Sequence, residues 1–215
     1  MRHGAHRTPD YVQTVRRSLP LFGGLVLLLS ACGGRDAEPS AVRPTVVREL
    51  HVQSDYGQIY IYDPETQEDA DWSVDDNPFM RAMDEGSDSR RFVGYDSGLV
   101  DVLTPSQYNW NAPMRVEVSD GRPPPDLEAW DHVAEVPLPV PSGRLCFEAS
   151  GGGTPIETRI PAGTYRARLS GRGYVAGAGD IEGHESYRLQ LWPEDEAEPK
   201  LLKYWDGWNI RDPAG

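Results

Sequence analysis

Six carboxylates, Glu65, Glu68, Asp69, Asp71, Asp75 and Asp76, fall within twelve residues, and Asp84, Glu85 and Asp88 follow. Several carboxylate and carbonyl oxygens converging on one point make a calcium site, and Asp69, Asp71, Asp75 and Asp76 are the candidate ligands. The spacing lacks the alternation and central glycine of an EF-hand loop, so a solvated acidic loop is the plainer expectation. His51, His132 and His184 lie far apart, with no Cys or His at metal-ligand spacing. Asp131-His132 has the makings of half a catalytic dyad, with Ser142 or Ser186 as nucleophile. There is, however, no Gly-x-Ser-x-Gly turn to present a serine. Tyr204-Trp205-Asp206-Gly207-Trp208 sets two indoles around an Asp-Gly turn. Trp205 and Trp208 would stack on sugar rings if exposed; packing in a core is the commoner use of such residues. Cys146, in Arg144-Leu145-Cys146-Phe147, reads as a small buried hydrophobe. A catalytic thiol would sit in a cationic, partly open setting. Neither an enzyme nor a cofactor is expected.

The other reactive residue is Cys32. Before it stand Arg16-Arg17, an apolar run of eleven residues from Leu19 to Leu29, and the small pair Ser30-Ala31. A positive flank, a short apolar core and small residues describe a secretory signal. The run is too short for a transmembrane helix, which needs roughly 20 residues. Leu29-Ser30-Ala31-Cys32 resembles the bacterial lipobox. That resemblance implies cleavage before Cys32 and a diacylglyceryl group on its sulfur. Two acyl chains make a stable anchor where one is marginal. The expected organisation is therefore a signal peptide over 1–31, a flexible tether over 32–44, a folded domain over 45–209 and a frayed end over 210–215. The expected location is the extracytoplasmic face of the cell membrane.

Charge narrows the partners. Residues 1–31 hold four Arg and one Asp, so the net charge of −13 becomes −16 from Cys32 onward. Nucleic acid is excluded as a partner, because phosphate binding depends on cationic patches. Adsorption to anionic lipid by charge is excluded likewise, which leaves the acyl anchor as the membrane contact. An acidic field favours a basic protein and speeds its encounter.

The domain that would carry these residues shows a period of two almost throughout. Val46 to Val52, Ile59-Ile61, Leu99 to Leu103, Met114-Val116-Val118, Val133-Val136, Leu145-Phe147, Ile156 to Ile160, Tyr165-Ala167-Leu169 and Tyr187-Leu189-Leu191 predict strands. Gly, Pro, Asn and Asp punctuate them. About nine short strands, several with one wet face, predict a mostly-β antiparallel sandwich. One short helix is expected over Asn77 to Glu85, with Pro78 at its first position and Phe79, Met80 and Met83 on its apolar face.

Asp55-Tyr56-Gly57-Gln58-Ile59-Tyr60 followed by Asp71-Trp72-Ser73, and later Ile160-Pro161-Ala162-Gly163-Thr164-Tyr165, resemble segments of the bacterial competence protein J family. The resemblance touches about the middle 140 residues through short motifs. It implies a small β-rich protein, and a member of that family inhibits a DNA-degrading nuclease. The chain departs from the pattern in its lipobox and its long acidic Glu65–Asp88 region. The resulting expectation is a membrane-anchored, non-enzymatic binding protein, an inhibitor or immunity-like factor for a basic protein. A glycan- or small-ligand-binding lipoprotein, and a hydrolase, stand as alternatives.

Overall fold

The computed structural model describes residues 42–71, 77–176, 182–195 and 197–210. Cys32, Trp72, Asp75, Asp76 and residues 211–215 lie outside them. Every described residue belongs to one compact unit, Pro39–Gly215.

Among the described residues are eleven strands and one α-helix. They are β1 (Pro44–Ser54), β2 (Gln58–Tyr62), α1 (Pro78–Asp88), β3 (Val93–Asp96), β4 (Leu99–Leu103) and β5 (Asn109–Ser119). There follow β6 (His132–Val140), β7 (Arg144–Ala149), β8 (Ile156–Arg159), β9 (Gly163–Arg172), β10 (Ser186–Pro193) and β11 (Lys200–Lys203). One sheet runs β1-β5-β10-β9-β6-β11, the other β3-β4-β2-β7-β8. Val52, Met114, Val116, Leu189, Leu191 and Leu169 of the first sheet meet Ile59, Ile61, Val100, Val102, Leu145 and Phe147 of the second in one core. The alternation seen in the sequence is the signature of these two inner faces.

Three details differ from the sequence expectation. β11, from Lys-Leu-Leu-Lys, carries no alternation and pairs with β6 as an edge strand. β5 and β10 pair in parallel, Val116 opposite Leu189, while every other strand pair is antiparallel. α1 extends to Asp88, and it buries Pro78, Ala82 and Gly86 while Met80 stays 41 % exposed. The reason lies in β3. A Cβ on Gly94 would stand 1.6 Å from the Ala82 carbonyl oxygen, so helix and strand touch backbone to backbone. Asn77 caps the helix by accepting the Met80 N–H at 3.1 Å.

The outer face of the six-stranded sheet is the larger departure. Arg166 and Arg168 alternate with apolar residues and read as solvent-facing, yet each is at most 1 % exposed. Chain crossing from elsewhere covers them. Arg166 donates to the carbonyls of Ala197 and Glu198, both at 2.7 Å. Arg168 donates to the Pro123 carbonyl at 3.0 Å. Buried Glu135 takes Arg168 Nε at 2.9 Å and Arg122 Nη2 at 3.0 Å, with Arg166 Nε 3.5 Å away. Trp192 lies under Arg168 and Arg122, and Trp130 under Arg188 and Arg172.

Candidate functional site

The acidic stretch begins on a 3-10 turn, Pro64–Gln67, that is tied down at both sides. Asp63, fully buried, accepts the Glu65 N–H at 3.0 Å and caps the turn. The same carboxylate accepts the Ser142 N–H at 2.9 Å and the Ser142 hydroxyl at 2.7 Å. Gln67 donates to the Ser97 carbonyl at 2.9 Å. Ser97 and Gly98 both have positive φ, the conformation of a tight two-residue hairpin between β3 and β4. A Cβ on Gly98 would come within 2.9 Å of the Thr66 side chain, so this hairpin also fits closely against the turn.

Charge on this edge sorts by direction. Arg81 is the sole cation between Glu65 and Asp88, and its Nε and Nη2 reach Asp96 at 3.1 and 2.9 Å. Arg91, just beyond, pairs with Glu85, whose carboxylate also accepts the Tyr95 N–H at 3.0 Å. These cations serve carboxylates that face the sheet. Glu65, Glu68, Asp69, Asp71, Asp84 and Asp88 are exposed. Between the 3-10 turn and α1 lies an open cleft of about 370 Å³, lined by Thr66, Gln67, Asp69, Asp71, Pro78 and Arg81. Exposed Met80 adds an apolar contact on α1.

Beside α1, one cross-strand row of the five-stranded sheet reads Gly94, Asp101, Tyr60, Glu148. Asp101 is fully buried in an otherwise apolar strand. Gln58 Nε2 donates to its Oδ2 at 2.7 Å, and Oδ1 has no hydrogen-bond partner among the described residues. Burial without a cation pushes its pKa up to about 7. Tyr60, stacked on Phe79 at 4.1 Å, is pushed up to about 12, again chiefly by burial. Tyr62 donates to Glu148 at 2.6 Å.

The remaining sequence candidates have been placed elsewhere. Cys32, Asp75 and Asp76 fall outside the described residues. Asp69 and Asp71 line the acidic cleft, and among the described residues no three His, Cys, Asp or Glu groups converge as metal ligands would. Ser142 is held by Asp63. Ser186 accepts from Arg172 Nε at 3.1 Å, and Asp131 accepts the Tyr174 N–H at 3.1 Å. His132 is buried among aromatic rings. Its Nε2–H donates to the Arg91 carbonyl at 2.6 Å, and Nδ1 accepts the Trp205 N–H at 3.3 Å. Both ring nitrogens are occupied by backbone, and burial holds the pKa down to about 4. Asp131, His132 and the two serines therefore form no dyad or triad.

Trp208 is 5 % exposed and stacks on Phe92 at 4.1 Å, so a sugar would have to displace Phe92 to reach that face. Trp205 stands edge-on to Trp208 and to Tyr174. Phe92 has a φ of +52°, a costly conformation for a bulky residue, and the aromatic cluster holds it there. Cys146 is buried, with its thiol pushed up to about 11 by burial and by Glu157. Two features had no clear signal in the sequence. Asp63 stands just ahead of the acidic stretch that begins at Glu65, and Asp101 sits inside an apolar run.

No family model and no curated protein sequence matches the chain. Two solved structures are similar to it. One is ComJ, inhibitor of the DNA degrading activity of NucA, from Bacillus subtilis, at 15 % identity over 71 % of this chain and 98 % of that one, with a TM-score of 0.45. The other is crocagin biosynthetic gene J, at 18 % identity over 69 % of this chain and 97 % of that one, with a TM-score of 0.44.

Proposed function

We propose that this chain is a membrane-anchored lipoprotein whose β-sandwich is a non-enzymatic binding module for a basic protein, acting as an inhibitor or immunity-like factor. The anchor is a diacylglyceryl group on Cys32, and the module works on the extracytoplasmic face. The observation that carries the binding role is the sorting of charge around α1. Arg81 and Arg91 are held by Asp96 and Glu85, while Glu65, Glu68, Asp69, Asp84 and Asp88 are exposed beside a cleft and an exposed methionine. Such an edge steers a cationic partner and gives it an apolar contact on arrival. The short motifs shared with the competence protein J family support the same class. The use of Ser142, His132 and Asp131 as structural partners speaks for binding over hydrolysis.

Two measurements test this. Fractionation of cells carrying Cys32→Ser should move the protein from the envelope to the soluble fraction; unchanged sedimentation with the envelope removes the anchor. Crosslinking in native cells, followed by mass spectrometry, should recover a protein of positive net charge. Its yield should fall with added salt and vanish in the combined variant Glu68→Lys, Asp69→Lys, Asp84→Lys, Asp88→Lys. A partner captured equally by that variant would overturn the acidic edge as the binding surface.

A further inference from the structure

We infer that the bulged start of β5 is a saccharide-binding site built on Trp110. Ser54 pairs with Asn109 and Val52 with Ala112, so Trp110 and Asn111 together oppose the single residue Gln53. This is a β-bulge, a device that re-aims side chains at the rim of a sheet. It turns both residues to water, leaving Trp110 47 % exposed. One exposed indole is ordinary on a protein surface. Here a second ring holds it: Tyr108 lies against Trp110 at 5.7 Å and 22°. Tyr108 is itself fixed, since its carbonyl accepts the Gly183 N–H at 2.8 Å.

Asn109 and Asn111, which flank Trp110 in sequence, line a cleft of about 330 Å³ together with Pro113, Glu182, His184 and Glu185. Glu185 is 1 % exposed and has no ion-pair partner among the described residues. It accepts the Ser106 N–H at 3.2 Å and Asn109 Nδ2 at 3.1 Å. A carboxylate has about four acceptor sites, so capacity remains. The Ser106 hydroxyl is fully buried and has no partner among the described residues. A Cβ on Gly183 would fall 1.9 Å from Glu185 Oε2 and 2.1 Å from Ser106 Oγ, so glycine alone lets the cleft wall close on these groups.

A pyranose matches this chemistry. Its face of C–H groups lies on an indole, and its rim of hydroxyls both donates and accepts. Amide, imidazole and carboxylate groups meet those hydroxyls. Among the described residues the lining holds two carboxylates and neither Lys nor Arg. Phosphorylated, sulfated and uronic ligands are therefore repelled, and a stacked nucleotide would bring its phosphate against Glu182 and Glu185. The ligand is a saccharide without anionic groups. The site shares no residue with the acidic edge at α1, and it transfers the sugar-stacking role considered for Trp205 and Trp208 to an indole that water reaches.

Titration calorimetry on the full chain in detergent tests this with cellotetraose, maltotetraose and tetra-N-acetylchitotetraose. At least one should bind. Trp110→Ala should weaken it about tenfold or more, the loss of one good stacking contact. Trp110→Tyr should retain most of the affinity, and Trp205→Ala should bind as the parent does. A heparin-derived tetrasaccharide should not bind. Because Trp110 is exposed, its variants should melt with the parent, which separates lost binding from lost fold. The inference is overturned if none of the three neutral sugars binds at millimolar concentration, if Trp110→Ala binds them as well as the parent, or if the sulfated sugar binds more tightly.

Discussion

On the outer face of the six-stranded sheet, buried charge is met by opposite charge: Glu135 lies among Arg122, Arg166 and Arg168. On the outer face of the five-stranded sheet, Asp101 is as deeply buried and is met by one amide, that of Gln58. The first arrangement locks in place the chain that crosses over it. The second leaves a proton to do what a cation does elsewhere. Removing charge should therefore harm one face and help the other.

Glu135→Gln should have the largest effect. It leaves two buried guanidinium groups without their carboxylate, a loss of about 3–5 kcal/mol, read as a lower midpoint in urea at unchanged slope. A loss below about 1 kcal/mol would show that the carbonyls of Pro123, Ala197 and Glu198 alone suffice for the arginines.

Asp101→Asn comes next, and it has a sign that depends on pH. With its pKa raised from 3.8 to about 7, folded Asp101 holds a proton that the unfolded chain has released. Its contribution is complete below pH 3.8 and is lost as pH rises through 7, up to about 4 kcal/mol. His132 works the other way. Its pKa is lowered from 6.5 to about 4, so its contribution is complete above pH 6.5 and is lost as pH falls through 4, about 3 kcal/mol. Between pH 4 and 6.5 the two slopes oppose each other. The variant should match the parent near pH 4 and exceed it by about 4 kcal/mol at pH 8, in denaturation series at each pH. Equal stability at pH 8 would mean that Asp101 is ionised at little cost, and the contrast between the faces would fail.

The smallest effect is expected at the rim, where Arg144 pairs with exposed Glu157. Solvent screens such pairs, and Arg144→Ala should unfold within error of the parent. A measurable loss there would show that pairing matters at the rim as well as under cover.

The sandwich was legible because alternation is local: Ile59-Ile61 and Met114-Val116-Val118 announce an inner face whatever they pair with. The helix was legible from Pro78 and its apolar neighbours, although which of them is buried depended on Gly94, a residue on another element. Arg166 and Arg168 were misread for a related reason. Nothing in β9 says that Pro123, Ala197 and Glu198 will lie across it. The bulge at Trp110 depends on register against Gln53, and register is a property of two strands. Lys200–Lys203 becomes a strand because β6 offers an edge. Trp208 packs on Phe92, while the exposed indole of Trp110 lies in a strand whose next residues alternate so cleanly that its start drew no notice.

The central position of β10 has a consequence for how the molecule comes into being. This strand joins β5 on one side and β9 on the other, yet among the described strands only β11 follows it in sequence. A chain delivered amino end first cannot close its larger sheet until Pro193 has emerged. Its strands wait on contacts of long sequence separation, which form slowly.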